Sequence, residues 1–158
     1  LDLGGGFPVQ YGDAIPSLEE IAASIRQAQK DLHMEKMQLY IEPGRGLVGG
    51  SGILVMTVIN RASRATGEWL YLDAGTFHGL VEAKDGFRFP VISERDGEVK
   101  MQFTLCGPTC DSADTIMSGV VLPADIALGD RVYFLTAGAY IRSLENYNGI
   151  DFPASVIV

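Results

Sequence analysis

Hydrophobic positions recur at helical spacing early in the chain, where Leu18, Ile21, Ile25, Ala28 and Leu32 fall on one face behind the capping box Ser17-Leu18-Glu19-Glu20. The pattern predicts an amphipathic helix over 17–32. Before it, Leu1-Asp2-Leu3 reads as a short apolar strand running into Gly4-Gly5-Gly6, and after it Met37-Gln38-Leu39-Tyr40-Ile41 reads as a second strand ending in Glu42-Pro43-Gly44-Arg45. Strand, helix and strand in this order form a parallel pair with a right-handed crossover, so both strand ends open on the same rim. The triple glycine and Glu42–Arg45 are therefore expected to face one another, on the rim where parallel α/β architectures bind ligands.

Beyond about residue 50 the pattern changes to β-branched and aromatic runs separated by turn residues. The predicted strands are 52–60, 68–73, 87–92, 99–105, 118–122, 131–135 and 154–158, with Asp85-Gly86 and Asp96-Gly97 as turn dipeptides. A strand–helix–strand unit followed only by strands predicts an α/β part and an all-β part, with a boundary near 46–52. No internal repeat or low-complexity segment is visible.

Composition narrows the function classes. The 158 residues are 47% hydrophobic, enough for one ordinary core, and carry a formal charge of −8. Basic residues are scattered singly, which argues against a nucleic-acid partner. There is no run of about 20 apolar residues to span a bilayer and no export signal, so no membrane association and a cytoplasmic location are expected. Cys106 and Cys110 make neither a disulfide framework nor, without further Cys or His nearby, a metal site. His33 and His78 read as surface or packing residues.

The chemistry concentrates in two places. Gly4, Gly5 and Gly6 offer backbone N–H groups to an anion, and Arg45 adds a guanidinium suited to a phosphate. The alternative is a tight turn at the glycines and an Arg45 paired with a surface carboxylate. Glu42, at the strand end beside Arg45, is placed to balance a positively charged ring nitrogen. The second place is Cys106-Gly107-Pro108-Thr109-Cys110-Asp111-Ser112-Ala113-Asp114, where turn residues hold Cys110 and Asp111 on a loop. Cys110 there suits a proton donor or nucleophile, and Asp111 suits a cationic substrate group. A buried small thiol and an Asx-turn are the bland readings of the same residues. Tyr140, in Gly138-Ala139-Tyr140, precedes a polar run to Asn148-Gly149, within reach of a polar site.

Taken in order, these four motifs with Tyr147-Asn148-Gly149 resemble the ornithine/lysine/diaminopimelate/arginine decarboxylase family, the fold-type III enzymes dependent on pyridoxal 5′-phosphate. The resemblance covers essentially the whole chain and only the C-terminal part of the family's length. It implies that residues 1–46 are the end of an alanine-racemase-like (β/α)8 barrel and that residues 47–158 are a C-terminal β-sandwich or β-barrel domain. It further implies that Gly4, Gly5, Gly6, Gly44 and Arg45 hold the cofactor phosphate, that Tyr140 adds its hydroxyl, and that Glu42 pairs with the pyridinium nitrogen. A carboxylate there keeps the ring able to accept electrons as CO2 leaves Cα. By the same resemblance Cys110 is the proton donor and Asp111 meets the distal amino group of an amino-acid substrate. Both reach into the partner's site in a homodimer with shared active sites.

The pair Cys110-Asp111 looks like the ornithine and lysine branch, which makes ornithine the first choice of substrate, lysine the second, and polyamine synthesis the expected context. Two departures bear on this. The segment after Phe77-His78-Gly79-Leu80-Val81 carries Ala83 where animal ornithine enzymes have Asp, with Glu82 adjacent as a candidate substrate contact. Tyr147 and Ile150 stand where the family often has Phe, an expected packing change. None of Lys30, Lys36, Lys84 or Lys100 lies in a motif matching the family's Schiff-base lysine, so an N-terminal barrel segment carrying it is expected as a partner to this chain. The competing readings are diaminopimelate decarboxylase, a non-catalytic homologue that binds a decarboxylase, and an unrelated sugar-phosphate binder, which leaves Cys110-Asp111 without a role.

Overall fold

The computed structural model describes residues 1–144 and 146–158. Helix α1 (Leu18–Asp31) starts at Ser17, whose hydroxyl accepts from the Glu20 N–H while the Glu20 carboxylate accepts from the Ser17 N–H, so the capping box forms as the sequence predicts. No residue of α1 is buried; Leu18 is exposed, and Ile21 and Ile25 are half-buried. The flanking segments pair in parallel through a single bridge, Asp2 with Tyr40. The Leu3 N–H donates to the Tyr40 carbonyl at 2.9 Å and the Glu42 N–H to the Gly4 carbonyl at 2.7 Å. The two strand ends therefore lie side by side. Residues 45–48 then form the one-turn helix α2 (Arg45–Val48).

Six strands follow: β1 (Leu54–Arg64), β2 (Gly67–Leu72), β3 (Val91–Ser93), β4 (Lys100–Cys106), β5 (Thr115–Pro123) and β6 (Arg131–Phe134). They form one sheet in the order β3-β6-β1-β2-β4-β5, and its edge strands β3 and β5 approach each other, so the sheet is nearly closed into a barrel. Strand β1 makes the corner: its first half pairs with β6 and its second with β2, with a register shift between Val58 and Asn60. The inward positions Met56, Val58, Leu70, Leu72, Phe103, Leu105, Val132 and Phe134 are buried and form the core.

Strands β2 and β4 run parallel, an arrangement no local pattern announces. Its consequence is positional: the loops leaving β2 and β4 emerge at the same end of the sheet. Two predicted strands differ. Over 87–92 only Val91 and Ile92 join a strand, because Phe87 and Phe89 turn into an aromatic cluster with Tyr11, at centroid separations of 4.5 and 5.9 Å from it, and Pro90 has no N–H to pair. Residues 154–158 form no strand, and Val156 and Ile157 are exposed. No helix among the described residues is long and apolar enough to cross a membrane.

Candidate functional site

The first cluster gathers around Arg45. Gly4 and Gly6 take positive φ of 70° and 80°, and a Cβ on Gly5 would lie 2.8 Å from the Glu42 carbonyl oxygen, so glycines let this loop lie against the strand end carrying Glu42. The N–H groups of Gly5, Gly6, Gly44 and Arg45 have no acceptor among the described residues. The Arg45 guanidinium donates through Nη1 to the Tyr11 hydroxyl at 2.9 Å and through Nη2 to the Glu82 carboxylate. The rings of Phe87, Tyr140 and Tyr11 surround it, with centroids 4.6, 5.3 and 5.7 Å from Cζ. Burial works against its charge, but the hydrogen bonds to Glu82 and Tyr11 more than offset this and hold it above the ordinary arginine value. Tyr140 is brought in by a neighbouring anchor, the Gly138 N–H donating to the Gly49 carbonyl at 3.0 Å. Its backbone is left-handed, φ 57°, and its side chain is exposed.

Of the sequence-derived candidates, this cluster unites Gly4, Gly5, Gly6, Glu42, Gly44, Arg45, Tyr140 and Glu82. Arg45 is paired with a carboxylate, as the alternative reading of the motif had it. Two of its five N–H donors are committed, which leaves three for another anion. Free backbone donors, a held guanidinium and an exposed tyrosine are the donor set that a phosphate ester needs, so these residues fit the phosphate of pyridoxal phosphate.

The second cluster sits where β2 and β4 exit together. Asp114 is 2% exposed, yet its carboxylate accepts from the Thr76 N–H at 2.8 Å, the Thr109 N–H at 3.1 Å and the Thr109 hydroxyl at 2.7 Å. It thereby ties the loop after β2 to the loop after β4. Gly75 and Gly107 allow this: a Cβ on either would come within 2.1 to 2.3 Å of that carboxylate. Held on this clamp, Cys110 is exposed with a left-handed backbone, φ 60°, whereas Cys106 is buried and its thiol is pushed up by desolvation. Strain at an exposed thiol is the kind of feature that surrounding structure must enforce.

Asp111 is fixed at both oxygens. Oδ1 accepts from the Ala113 N–H at 2.8 Å and Oδ2 from the Tyr147 hydroxyl at 2.7 Å. These bonds, the Ala113 N–H first, hold its carboxyl below the ordinary aspartate value, so it is ionised at neutral pH. Tyr147 stacks on buried Phe77 at 3.8 Å and 11°, and the neighbouring Asn148 side-chain amide donates to the Thr109 carbonyl at 3.0 Å. His78 is buried rather than on the surface, with Nδ1 accepting from the Gly75 N–H. The two clusters share no hydrogen bond among the described residues; they meet at the turn Val81–Asp85, whose Glu82 holds Arg45 and whose Lys84 lies 5.3 Å from the Phe77 ring.

Sequence reasoning did not single out Tyr11, Asp114 or the hydroxyl of Tyr147. Asp114 lies within the motif, four residues after Cys110, but its partner Thr76 is 38 positions away, and no local pattern marks it as a clamp. Nothing local points Tyr11 at Arg45.

Comparison with known proteins agrees with this geometry. Residues 22–138 match the family described as pyridoxal-dependent decarboxylase, C-terminal sheet domain. A diaminopimelate decarboxylase of Archaeoglobus fulgidus is 31% identical over all of this chain and 39% of its own length. A lysine/ornithine decarboxylase of Selenomonas ruminantium is 30% identical over 99% of this chain and 40% of its own. Among solved structures, the lysine/ornithine decarboxylase of Vibrio vulnificus complexed with cadaverine superimposes with a TM-score of 0.85 at 32% identity, covering 96% of this chain and 42% of that one. The chain thus spans about two fifths of the length of the relatives it matches.

Proposed function

Because the chain belongs to the pyridoxal-dependent decarboxylases, as their C-terminal sheet domain, we propose that the whole protein removes the α-carboxyl group of a basic L-amino acid, ornithine first and lysine second. The observation that carries this reading is the Cys110–Asp111 loop. An exposed thiol and an ionised carboxylate stand on adjacent residues; Tyr147 holds the carboxylate from outside the loop, and bonds from Thr76 to Asp114 and from Asn148 to the Thr109 carbonyl tie down the loop that carries the thiol. A carboxylate kept charged is matched to an ammonium group, which is what distinguishes a diamino acid from a simple one.

In this reading the backbone N–H groups of Gly5, Gly6, Gly44 and Arg45, with the Arg45 guanidinium and the Tyr140 hydroxyl, bind the cofactor phosphate. Glu42, exposed on the same rim, holds the proton on the pyridinium nitrogen. When bound, the cofactor supplies the electron sink that lets CO2 leave Cα. Asp111 holds the distal ammonium and so orients the substrate along its length. The Cys110 thiol then returns a proton to Cα, and because it lies on a fixed loop it returns it to one face. The Arg45 and Cys110 clusters share no hydrogen bond among the described residues, as a homodimer in which each copy completes the other's site would have it. Residues 1–46, with their parallel strand ends and exposed helix face, read as the end of a barrel.

A second reading is diaminopimelate as substrate, favoured by the Archaeoglobus fulgidus relative at 31% identity. Steady-state rates of the full-length protein on ornithine, lysine, arginine and diaminopimelate, with cofactor added, decide between them. Release of CO2 from ornithine or lysine with a matching diamine is expected. Turnover of diaminopimelate alone would overturn the substrate assignment, and no turnover at all would overturn the reaction. Cys110→Ala is expected to lower diamine formation by about 100-fold while leaving cofactor affinity within about twofold; unchanged turnover would remove Cys110 from its role.

A further inference from the structure

Asp111 does not stand alone as a substrate-reading group, and the residue that sets its direction lies 36 positions later in the chain. We propose that Tyr147 is a positioning residue for Asp111, which it holds at one depth and angle so that the site discriminates the length of a diamino-acid substrate; this rests on the basic amino-acid reading above.

Three observations bear it. First, the Asp111 carboxylate is held at two different atoms from two different directions: the Ala113 N–H takes Oδ1 from within the loop, and the Tyr147 hydroxyl takes Oδ2 from outside it. One bond alone leaves a carboxylate free to swing about the held oxygen; two fix its plane, and with it the directions of the remaining lone pairs. An ammonium group must approach along those directions. The position of Asp111 along the substrate therefore becomes a ruler for chain length, and the ruler is only as sharp as the carboxylate is still.

Second, the hydroxyl comes from a ring that is itself fixed. Tyr147 lies nearly flat on Phe77, with 3.8 Å between centroids and 11° between planes, and Phe77 is 4% exposed. Asn148 and Gly149 take positive φ of 53° and 76°, and the Ile150 N–H donates to the Tyr147 carbonyl at 3.1 Å, so the residue sits at the base of a tight two-residue turn. The Asn148 amide pins that turn to the Thr109 carbonyl, one residue before Cys110.

Third, the charge distribution favours this division of labour. The charged groups that face this pair are Lys84, on the Val81–Asp85 turn, which acts on Asp111, and Asp114, on the same loop as Asp111, which acts on Tyr147. Asp114 accepts three hydrogen bonds from Thr76 and Thr109, and Lys84 makes no ion pair among the described residues. Tyr147 is held above the ordinary tyrosine value, chiefly by donating to Asp111, so it remains a neutral donor across the working pH range. It aims the carboxylate without cancelling its charge.

Tyr147→Phe keeps the ring and the stack and deletes only the hydroxyl, so it tests the bond rather than the fold. In the full-length holoenzyme the expected result is a KM for the preferred diamino acid raised about fivefold with kcat changed less than about twofold, the split that loss of a ground-state contact produces. The ratio of kcat/KM between ornithine and lysine should fall toward one by about the same factor, because a swinging carboxylate reads length poorly. Dissociation constants of putrescine and cadaverine, measured calorimetrically on the same proteins, should converge in parallel and do not depend on turnover. A variant whose KM, ornithine-to-lysine ratio and diamine affinities all match wild type within about 1.5-fold overturns the role of Tyr147 and leaves the reaction standing. A variant whose KM rises for both substrates with the ratio unchanged also overturns it, since length is then read elsewhere. A wild-type protein that neither turns over a diamino acid nor binds a diamine overturns the underlying reading, and this inference with it.

Discussion

Asp114→Ala is the substitution whose consequence the structure specifies most fully. The carboxylate is 2% exposed and receives three hydrogen bonds, from the Thr76 N–H, the Thr109 N–H and the Thr109 hydroxyl. Hydrogen bonds to a charged acceptor are each worth about 1.5–3 kcal/mol, so a plain sum is about 5–9 kcal/mol. Two effects reduce it. Removing the carboxylate also removes the cost of keeping a charge out of water, and the space it leaves is lined by N–H and O–H donors, so water can enter and satisfy part of them. A net loss of about 3 kcal/mol follows. Against total stabilities of about 5–15 kcal/mol this is a large fraction. Asp114→Asn retains one acceptor oxygen and should lose about half as much, whereas Thr109→Val, which removes only the hydroxyl, should lose about 1 kcal/mol. Amide hydrogen exchange on the full-length protein reads the clamp directly. The Thr76 and Thr109 amides should exchange about 100-fold faster in Asp114→Ala, while amides in the middle of β1 change far less. Protection of Thr76 unchanged to within about threefold would mean that the β2 and β4 exits are held together by something other than this carboxylate.

Two further perturbations test separate parts of the molecule. Arg45→Ala should weaken cofactor binding by at least about tenfold in a fluorescence titration, since it removes the guanidinium but leaves the glycine N–H groups in place; an unchanged dissociation constant would show that Glu82, not the phosphate, is its working partner. At the other end of the sheet, Arg95 donates to Asp130, which is 8% exposed and held below the ordinary aspartate value mainly by that contact. A carboxyl lowered on folding contributes stability that is present above its unfolded value, near pH 4, and lost as pH falls through the folded value. Arg95→Met should therefore lower the urea midpoint at pH 6, and its gap to wild type should narrow steadily as pH falls below about 4; a gap that does not narrow on acidification would point to lost packing instead.

What the sequence made legible and what it hid divide along one physical line. Helix α1 and most strands were readable because capping chemistry and hydrophobic period are local. The facing of Gly4–Gly6 and Glu42–Arg45 was readable because handedness fixes where parallel strands end, and the Glu42–Gly4 hydrogen bond bears it out. The strand expected over 87–92 failed for a reason outside that stretch: Phe87 and Phe89 have a better use in packing around Tyr11 than in alternating along a ladder. The hydrophobic run 154–158 has strand composition, yet it pairs with no strand among the described residues. The same limit applies at the sites. Cys110 and Asp111 announce themselves as chemistry, but the groups that hold them still, Asp114 through Thr76 and Tyr147 through Phe77, depend on β2 and β4 lying parallel. That pairing brings residues 75–78 beside residues 107–114, and the Thr76–Asp114 hydrogen bond spans 38 positions. Reactive residue types are thus written in the chain, whereas their rigidity is a property of sheet order. The residues most worth mutating next are the ones that sequence pattern alone gives no reason to choose.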